Sequence, residues 1–234
     1  LCYRTLTCLA RVGPLRKLMM KLGVVKVMKD FGNSSHKEGP LMCALALCLF
    51  SFTRGVRVSM MEQGGGLAAL SVVKNAMSKM EELAGKAEKT DSLEKESREE
   101  MDILCLTVAT LTNLALTPTT RTMIISDGVV PIILGLIEHG DDPVKRACAA
   151  TLRGLTLDDN ATIITEIVHQ GGLEAILRLC SVTDILILRN CSSALANTLA
   201  HGSLLEVLFS DKRFVDTGIT QLTVDTVMQL LKSN

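Results

Sequence analysis

Residues 122–140 read Thr-Met-Ile-Ile-Ser-Asp-Gly-Val-Val-Pro-Ile-Ile-Leu-Gly-Leu-Ile-Glu-His-Gly. Residues 141–156 continue Asp-Asp-Pro-Val-Lys-Arg-Ala-Cys-Ala-Ala-Thr-Leu-Arg-Gly-Leu-Thr. Two apolar helical segments meet at Asp127-Gly128. A third starts at Asp141-Asp142-Pro143, where proline suits the first turn and acidic residues suit the positive end of the helix dipole.

The same punctuation recurs outward from this stretch. A glycine separates apolar helices at Gly23, at Gly64 to Gly66, at Gly128, and at Gly171 with Gly172. A Leu-Ala-like helix end appears at Leu9-Ala10, Phe50-Ser51, Leu114-Ala115, Leu155-Thr156 and Leu199-Ala200, with successive spacings of 41, 64, 41 and 44. Cys2, Cys43, Cys105, Cys148 and Cys191 precede those ends, at spacings of 41, 62, 43 and 43. A small residue at one repeat position lets a long helix pack closely on its neighbours. Metal ligands would instead have to converge from nearby turns. A period near 42 with helical patterning points to stacked helical repeats.

Residues 122–156 resemble the three helices of an armadillo repeat, and Gln170-Gly-Gly-Leu-Glu-Ala-Ile-Leu-Arg-Leu179 resembles the family's hinge into its second helix. The resemblance covers about residues 1–210. It implies an all-α fold, a right-handed armadillo-type superhelix (an α-solenoid) of four to five repeats. Residues 1–12 read as a trailing third helix; 14–55, 56–117, 118–157 and 158–202 read as repeats. Residues 203–234, with apolar segments Leu204–Phe209 and Leu222–Leu231, read as a degenerate repeat or cap.

Residues 79–102 are the least family-like part, a charged insertion with nine acidic and five basic residues. Composition favours a solvated loop. The alternative is two helices extended outward and supported by i,i+4 pairs such as Glu82–Lys86. Ser92 and Ser97 lie there in acidic context as candidate phosphorylation sites.

The composition agrees with packed helices: 47% of the 234 residues are hydrophobic and only 3% aromatic, with no Trp. Net charge is zero, but residues 1–60 hold ten Lys or Arg against two Asp or Glu. Leu1 opens inside an apolar helical segment, so a piece of a longer protein is expected. The apolar run Leu41–Phe52 is too short to span a bilayer. Eight Cys without a CxxC pair suit a reducing cytoplasmic or nuclear setting.

Catalytic signatures are missing: no GxxxxGK[ST], GxGxxG after a strand, GxSxG or HExxH occurs. Gly64-Gly65-Gly66 reads as a structural turn. His36, His139, His169 and His201 show no ligand spacing, and Cys8 and Cys180 are extra thiols in apolar context. No catalytic residue, metal, cofactor or small-molecule substrate is expected.

The expected function is a non-catalytic protein-protein interaction scaffold or adaptor, since the resemblance implies a concave groove lined by third helices. Importin-like members grip peptides with recurring Asn and Trp on those helices. Here the Asn position holds Asn113 but Cys8, Leu49, Gly154 and Thr198 elsewhere, and the Trp position holds Ala109, Ala150 and Ala194. An import receptor is thereby disfavoured. The candidate partner-binding residues are Asn113, Arg146, Arg153, Arg189, Asn190 and Asn197. One alternative is a docking or regulatory domain of a larger enzyme or co-chaperone. Another is membrane-surface or RNA binding through a basic patch of Arg11, Arg16, Lys17, Lys21 and Lys26; scarce aromatics disfavour nucleic acid.

Overall fold

The computed structural model describes residues 2–34, 36–86, 90–157 and 160–200, together with 221, 223–226 and 228. The expected cap at 203–234 and His201 lie almost wholly outside the described residues. The described chain is helical, in repeating triplets. A first partial unit contributes only α1 (Cys2–Arg11). Then follow α2 (Gly13–Lys21), α3 (Val24–Gly32) and α4 (Gly39–Ser51); α5 (Arg57–Glu62), α6 (Gly65–Ala84) and α7 (Asp91–Ala115); α8 (Pro118–Ser126), α9 (Val129–His139) and α10 (Asp142–Leu155); and α11 (Ala161–His169), α12 (Gly172–Cys180) and α13 (Ile185–Leu199).

Each first helix hands over to the second at a glycine in the left-handed region: Gly23, Gly64, Gly128 and Gly171, with φ of 73°, 83°, 83° and 96°. A side chain there would force Cβ against the following carbonyl, so the hinge selects glycine. Third helices begin on caps chosen by the same chemistry. Asp141 accepts from the Val144 amide, and Asp184 accepts from those of Leu186 and Ile187.

Stacking follows the triplets. Third helices pack in sequence, α1 on α4, α4 on α7, α7 on α10 and α10 on α13. Second helices form a parallel layer, α3 on α6, α6 on α9 and α9 on α12. One continuous core fills the space between. Helix α4 is apolar almost all round because α1, α3, α6 and α7 enclose it. Cys43, Cys148 and Cys191 are wholly buried, as a small residue at the closest helix approach requires; Cys105 is half-buried and Cys2 exposed.

The described part of the charged insertion is almost wholly helical rather than a loop. Helix α6 runs to Ala84, and α7 starts at Asp91, capped by the Thr90 hydroxyl accepting from the Leu93 amide. Met80 and Leu83 face Leu93, Ser97 and Met101 across a seam enclosing about 470 Å³, and Ser97 Oγ lies 3.7 Å from Met80 Sδ. Met80 and Leu83 on α6, and Leu93 and Met101 on α7 with the small Ser97 between them, line one face of each helix at spacings of three, four or eight residues among strong helix formers, and this periodicity outweighs the acidic composition. The expected Glu82–Lys86 pair is not among the ion pairs of the described residues. Lys79 instead reaches across to Glu100 at 2.7 Å, and Lys37 lies 4.0 Å from both Glu96 and Glu99.

Candidate partner-binding surface

A groove of about 880 Å³ opens over the N-terminal third helices. Its floor is apolar: Leu41, Met42 and Leu45 from α4, and Ile103 from α7. The charged extension of α6 and α7 forms one wall and the exposed face of α1 another. Arg4 binds Glu38 at 2.5 Å across it, and that hydrogen bond holds the Glu38 carboxyl below its usual range and the Arg4 guanidinium above its own. Lys86 and Lys95 line the groove with no ion pair among the described residues, and so does Arg11.

The residues singled out from sequence lie mostly further along the stack. Arg146 on α10 is exposed but held 2.7 Å from Asp184, tying α10 to the start of α13. Asn113 and Asn197 are half-buried. Asn113 Nδ2 donates to Ser51 Oγ at 2.9 Å, and Asn197 Nδ2 to Thr156 Oγ1 at 3.5 Å, each reaching the end of the preceding third helix. Each therefore ties neighbouring repeats together through one donor of its amide. Thr198, read as the equivalent of Asn113, is buried with its hydroxyl donating to the Ala194 carbonyl, so Asn197 takes that role one residue earlier. Gly154 does not face a groove either. A Cβ there would sit 2.9 Å from Ala115 Cβ, where α10 closes on the end of α7. Arg153 and Arg189 are exposed and Asn190 is half-buried.

Asp184 carries a pH dependence. The Arg146 hydrogen bond, then the α13 amides, lower its pKa. A carboxylate with a lowered folded pKa stabilises the fold above its unfolded value, about 3.9, and that stabilisation is lost as pH falls through the lower folded value. An Asp184→Asn variant keeps the cap but loses the charge. Its urea midpoint should fall below that of the wild type at pH 7, and the gap should close as pH drops below about 3.9. A gap that persists unchanged at pH 2 contradicts this account.

The basic patch is split by the structure. Lys17, Lys21, Lys26 and Arg11 are exposed, but Arg16 is turned inward. Its Nε donates to the Ala10 carbonyl at 2.6 Å, Nη2 to the Arg11 carbonyl at 3.2 Å, and Nη1 to Thr53 Oγ1 at 2.8 Å. Arg57 repeats the arrangement, with Nε on the Ser51 carbonyl at 2.7 Å and Nη1 on Thr117 Oγ1 at 3.1 Å. Arg121 Nε donates to the Ala115 carbonyl at 2.9 Å. Each guanidinium satisfies the carbonyl end of a third helix, which has no intrahelical donor left. Burial, with Arg54 nearby, lowers the pKa of Arg57, yet an arginine starting above 12 stays charged. The signal was legible: Arg16, Arg57 and Arg121 are 41 and 64 residues apart, the same spacings as the helix ends.

The thiols sort by burial. Burial pushes Cys43 and Cys148 up to about 12 and Cys105 to about 11. Only the thiolate attacks a disulfide reagent, so buried thiols are inert while folded. Ellman's reagent should titrate the exposed Cys2 and Cys8 rapidly in native protein, and reach Cys43, Cys148 and Cys191 only after unfolding. Fast native reaction of Cys148 would contradict the packing described.

Residues 118–157 match the armadillo/beta-catenin-like repeat family. The chain has the armadillo-repeat fold. Solved structures agree along nearly its whole length. A computationally designed armadillo repeat protein for modular peptide recognition superposes with a TM-score of 0.64 at 16% identity, covering 96% of this chain and 91% of the other. A second designed armadillo protein gives 0.62 at 15% identity, covering 96% and 91%. A third, in complex with the peptide (KR)4, gives 0.64 at 15% identity, covering 96% and 90%. Curated protein sequences give no match. In armadillo terms, the stitching arginines sit on first helices, the groove lies on the third-helix layer, and the α6–α7 extension is an elaboration of one repeat.

Proposed function

We propose that this armadillo chain is a non-catalytic protein-interaction scaffold that holds a segment of a partner protein in the groove over α1, α4 and α7. The observation that carries the reading is the groove itself. Its volume of about 880 Å³ is of binding-site size, and an apolar floor inside a charged rim is the anatomy of a protein interface. The designed armadillo protein bound to (KR)4 supports a peptide-like occupant for a fold of this shape. Reduced, buried thiols fit a cytoplasmic or nuclear setting. Membrane or RNA binding through the basic patch is less well supported, because Arg16 spends its donors on backbone and Thr53.

The test is affinity capture with wild type and a Lys37→Glu, Lys95→Glu double variant, followed by cross-linking of the captured protein. Both lysines line the groove and are exposed. Loss of a captured protein from the variant, with helical circular dichroism unchanged and wild-type cross-links at the groove, supports the reading. Equal capture by both, with cross-links elsewhere, overturns it.

A further inference from the structure

We infer that the edge of the solenoid where third helices turn into first helices is a second interaction surface, one that takes an acidic peptide segment carrying apolar side chains about 10 Å apart. Three consecutive corners each expose a large apolar side chain: Val12 is 49% exposed, Phe52 60% and Leu116 47%. Leu157, 45% exposed, stands at the next corner, where Asp158 and Asp159 follow it in sequence and the cationic stretch ends. Isolated exposed apolar residues are ordinary. These recur at one place in successive repeats, and hydrogen bonds stack them into a line. Arg16 joins the corner at Ala10 to Thr53, beside Phe52; Arg57 joins the corner at Ser51 to Thr117, beside Leu116.

Charge selects the occupant. Segments 10–18, 52–59 and 115–122 contain six Lys or Arg and no Asp or Glu. Arg16, Arg57 and Arg121 are turned inward, while Arg11, Lys17 and Arg54 are exposed. Along these three corners the edge is apolar and cationic with no carboxylate in the segments named, which complements an acidic partner. Spacing selects the partner's form. Packed helices lie about 8–10 Å apart, and an extended chain advances about 10 Å in three residues. In the polyproline II form, with three residues per turn and about 3.1 Å per residue, every third side chain returns to the same face about 9 Å further on, so a segment with an apolar residue at every third position can place one at each corner and its acids between them. A lipid surface fits less well, because the row is one side chain wide and only Arg11, Lys17 and Arg54 are exposed, whereas polybasic membrane binding draws on about 4–8 cations.

The probe is a fluorescein-labelled peptide of four Leu-Asp-Glu triplets, read by anisotropy at low and high salt. Four Ser-Asp-Glu triplets, four Leu-Lys-Lys triplets and phosphatidylserine vesicles serve as comparisons. The Leu-Asp-Glu peptide should bind the wild type, weaken with salt, and exceed both control peptides. A Phe52→Ser, Leu116→Ser double variant, which removes two of the apolar anchors, should bind it at least about tenfold more weakly. An Arg54→Glu variant should also weaken it. The Lys37→Glu, Lys95→Glu groove variant should bind it as the wild type does, which separates this surface from the groove. Because Phe52 and Leu116 are exposed, the serine variants should keep their helical signal. The inference is overturned if the peptide fails to bind at low salt, or if edge and groove variants bind alike. It is equally overturned if vesicles alone bind in a Phe52- and Arg54-dependent way.

Discussion

Replacing Phe50 with Ala should destabilise the protein by about 3–5 kcal/mol, the range for removing a buried aromatic ring. Phe50 is completely buried and heads the largest fully buried side chains, in a core otherwise made of Leu, Ile, Val, Met, Ala and Cys. Small and branched neighbours on four surrounding helices cannot all relax into the space of a lost ring, so a cavity adds to the lost transfer free energy. Phe52, two residues on and exposed, is the internal control: its change to Ala should cost no more than about 0.5 kcal/mol. Urea unfolding followed by circular dichroism distinguishes them. A loss below about 1 kcal/mol at Phe50 would show that α4 is not enclosed as described. In a solenoid the damage should also be local, so the Phe50→Ala transition should broaden or split as the N-terminal repeats melt first.

Arg121→Ala should cost about 3 kcal/mol, because it removes a charge-assisted hydrogen bond and leaves the Ala115 carbonyl buried without that donor. Arg121 is only 4% exposed and Arg57 8%, so neither carbonyl gains water in exchange. Arg16 is half-exposed, and Arg16→Ala should cost less than either. Lysine should not rescue Arg57, since one ammonium cannot reproduce a planar fork that spans a carbonyl and a threonine hydroxyl. Chemical denaturation of the three alanine variants and Arg57→Lys tests the ordering. Equal losses at Arg16 and Arg121, or full rescue by lysine, would remove burial and geometry as the cause.

The stacked-helix architecture was legible because three markers share one period, and each has a local physical cause. The glycine hinge needs a positive φ, the cysteine position needs a small side chain, and Pro143 after two aspartates starts a helix. At 79–102 overall charge favours a loop, but the helical spacing of Met80 and Leu83, and of Leu93, Ser97 and Met101, outweighs it. The candidate surface was less legible. A polar residue on a third helix can face a partner or the next repeat, and sequence spacing alone does not separate the two. Asn113, Asn197 and Arg146 proved to bind neighbours within the chain. The groove depends on where an overhanging hairpin stands opposite α1 across α4, a long-range placement that no short window encodes.

The stitching arginines have an engineering consequence. Arg57 reaches both the corner where its repeat begins and the corner where it leaves, just as Arg16 does, although 64 residues separate Thr53 from Thr117 and the usual interval is 41. The clamp fixes the rise from one layer to the next and is indifferent to how much chain runs between its jaws. Additional sequence looped out at the far end of the α6–α7 hairpin therefore leaves the pitch of the stack alone. Near Lys86, this scaffold has a natural splice point, where a foreign domain could be hosted without disturbing the register of the repeats on either side.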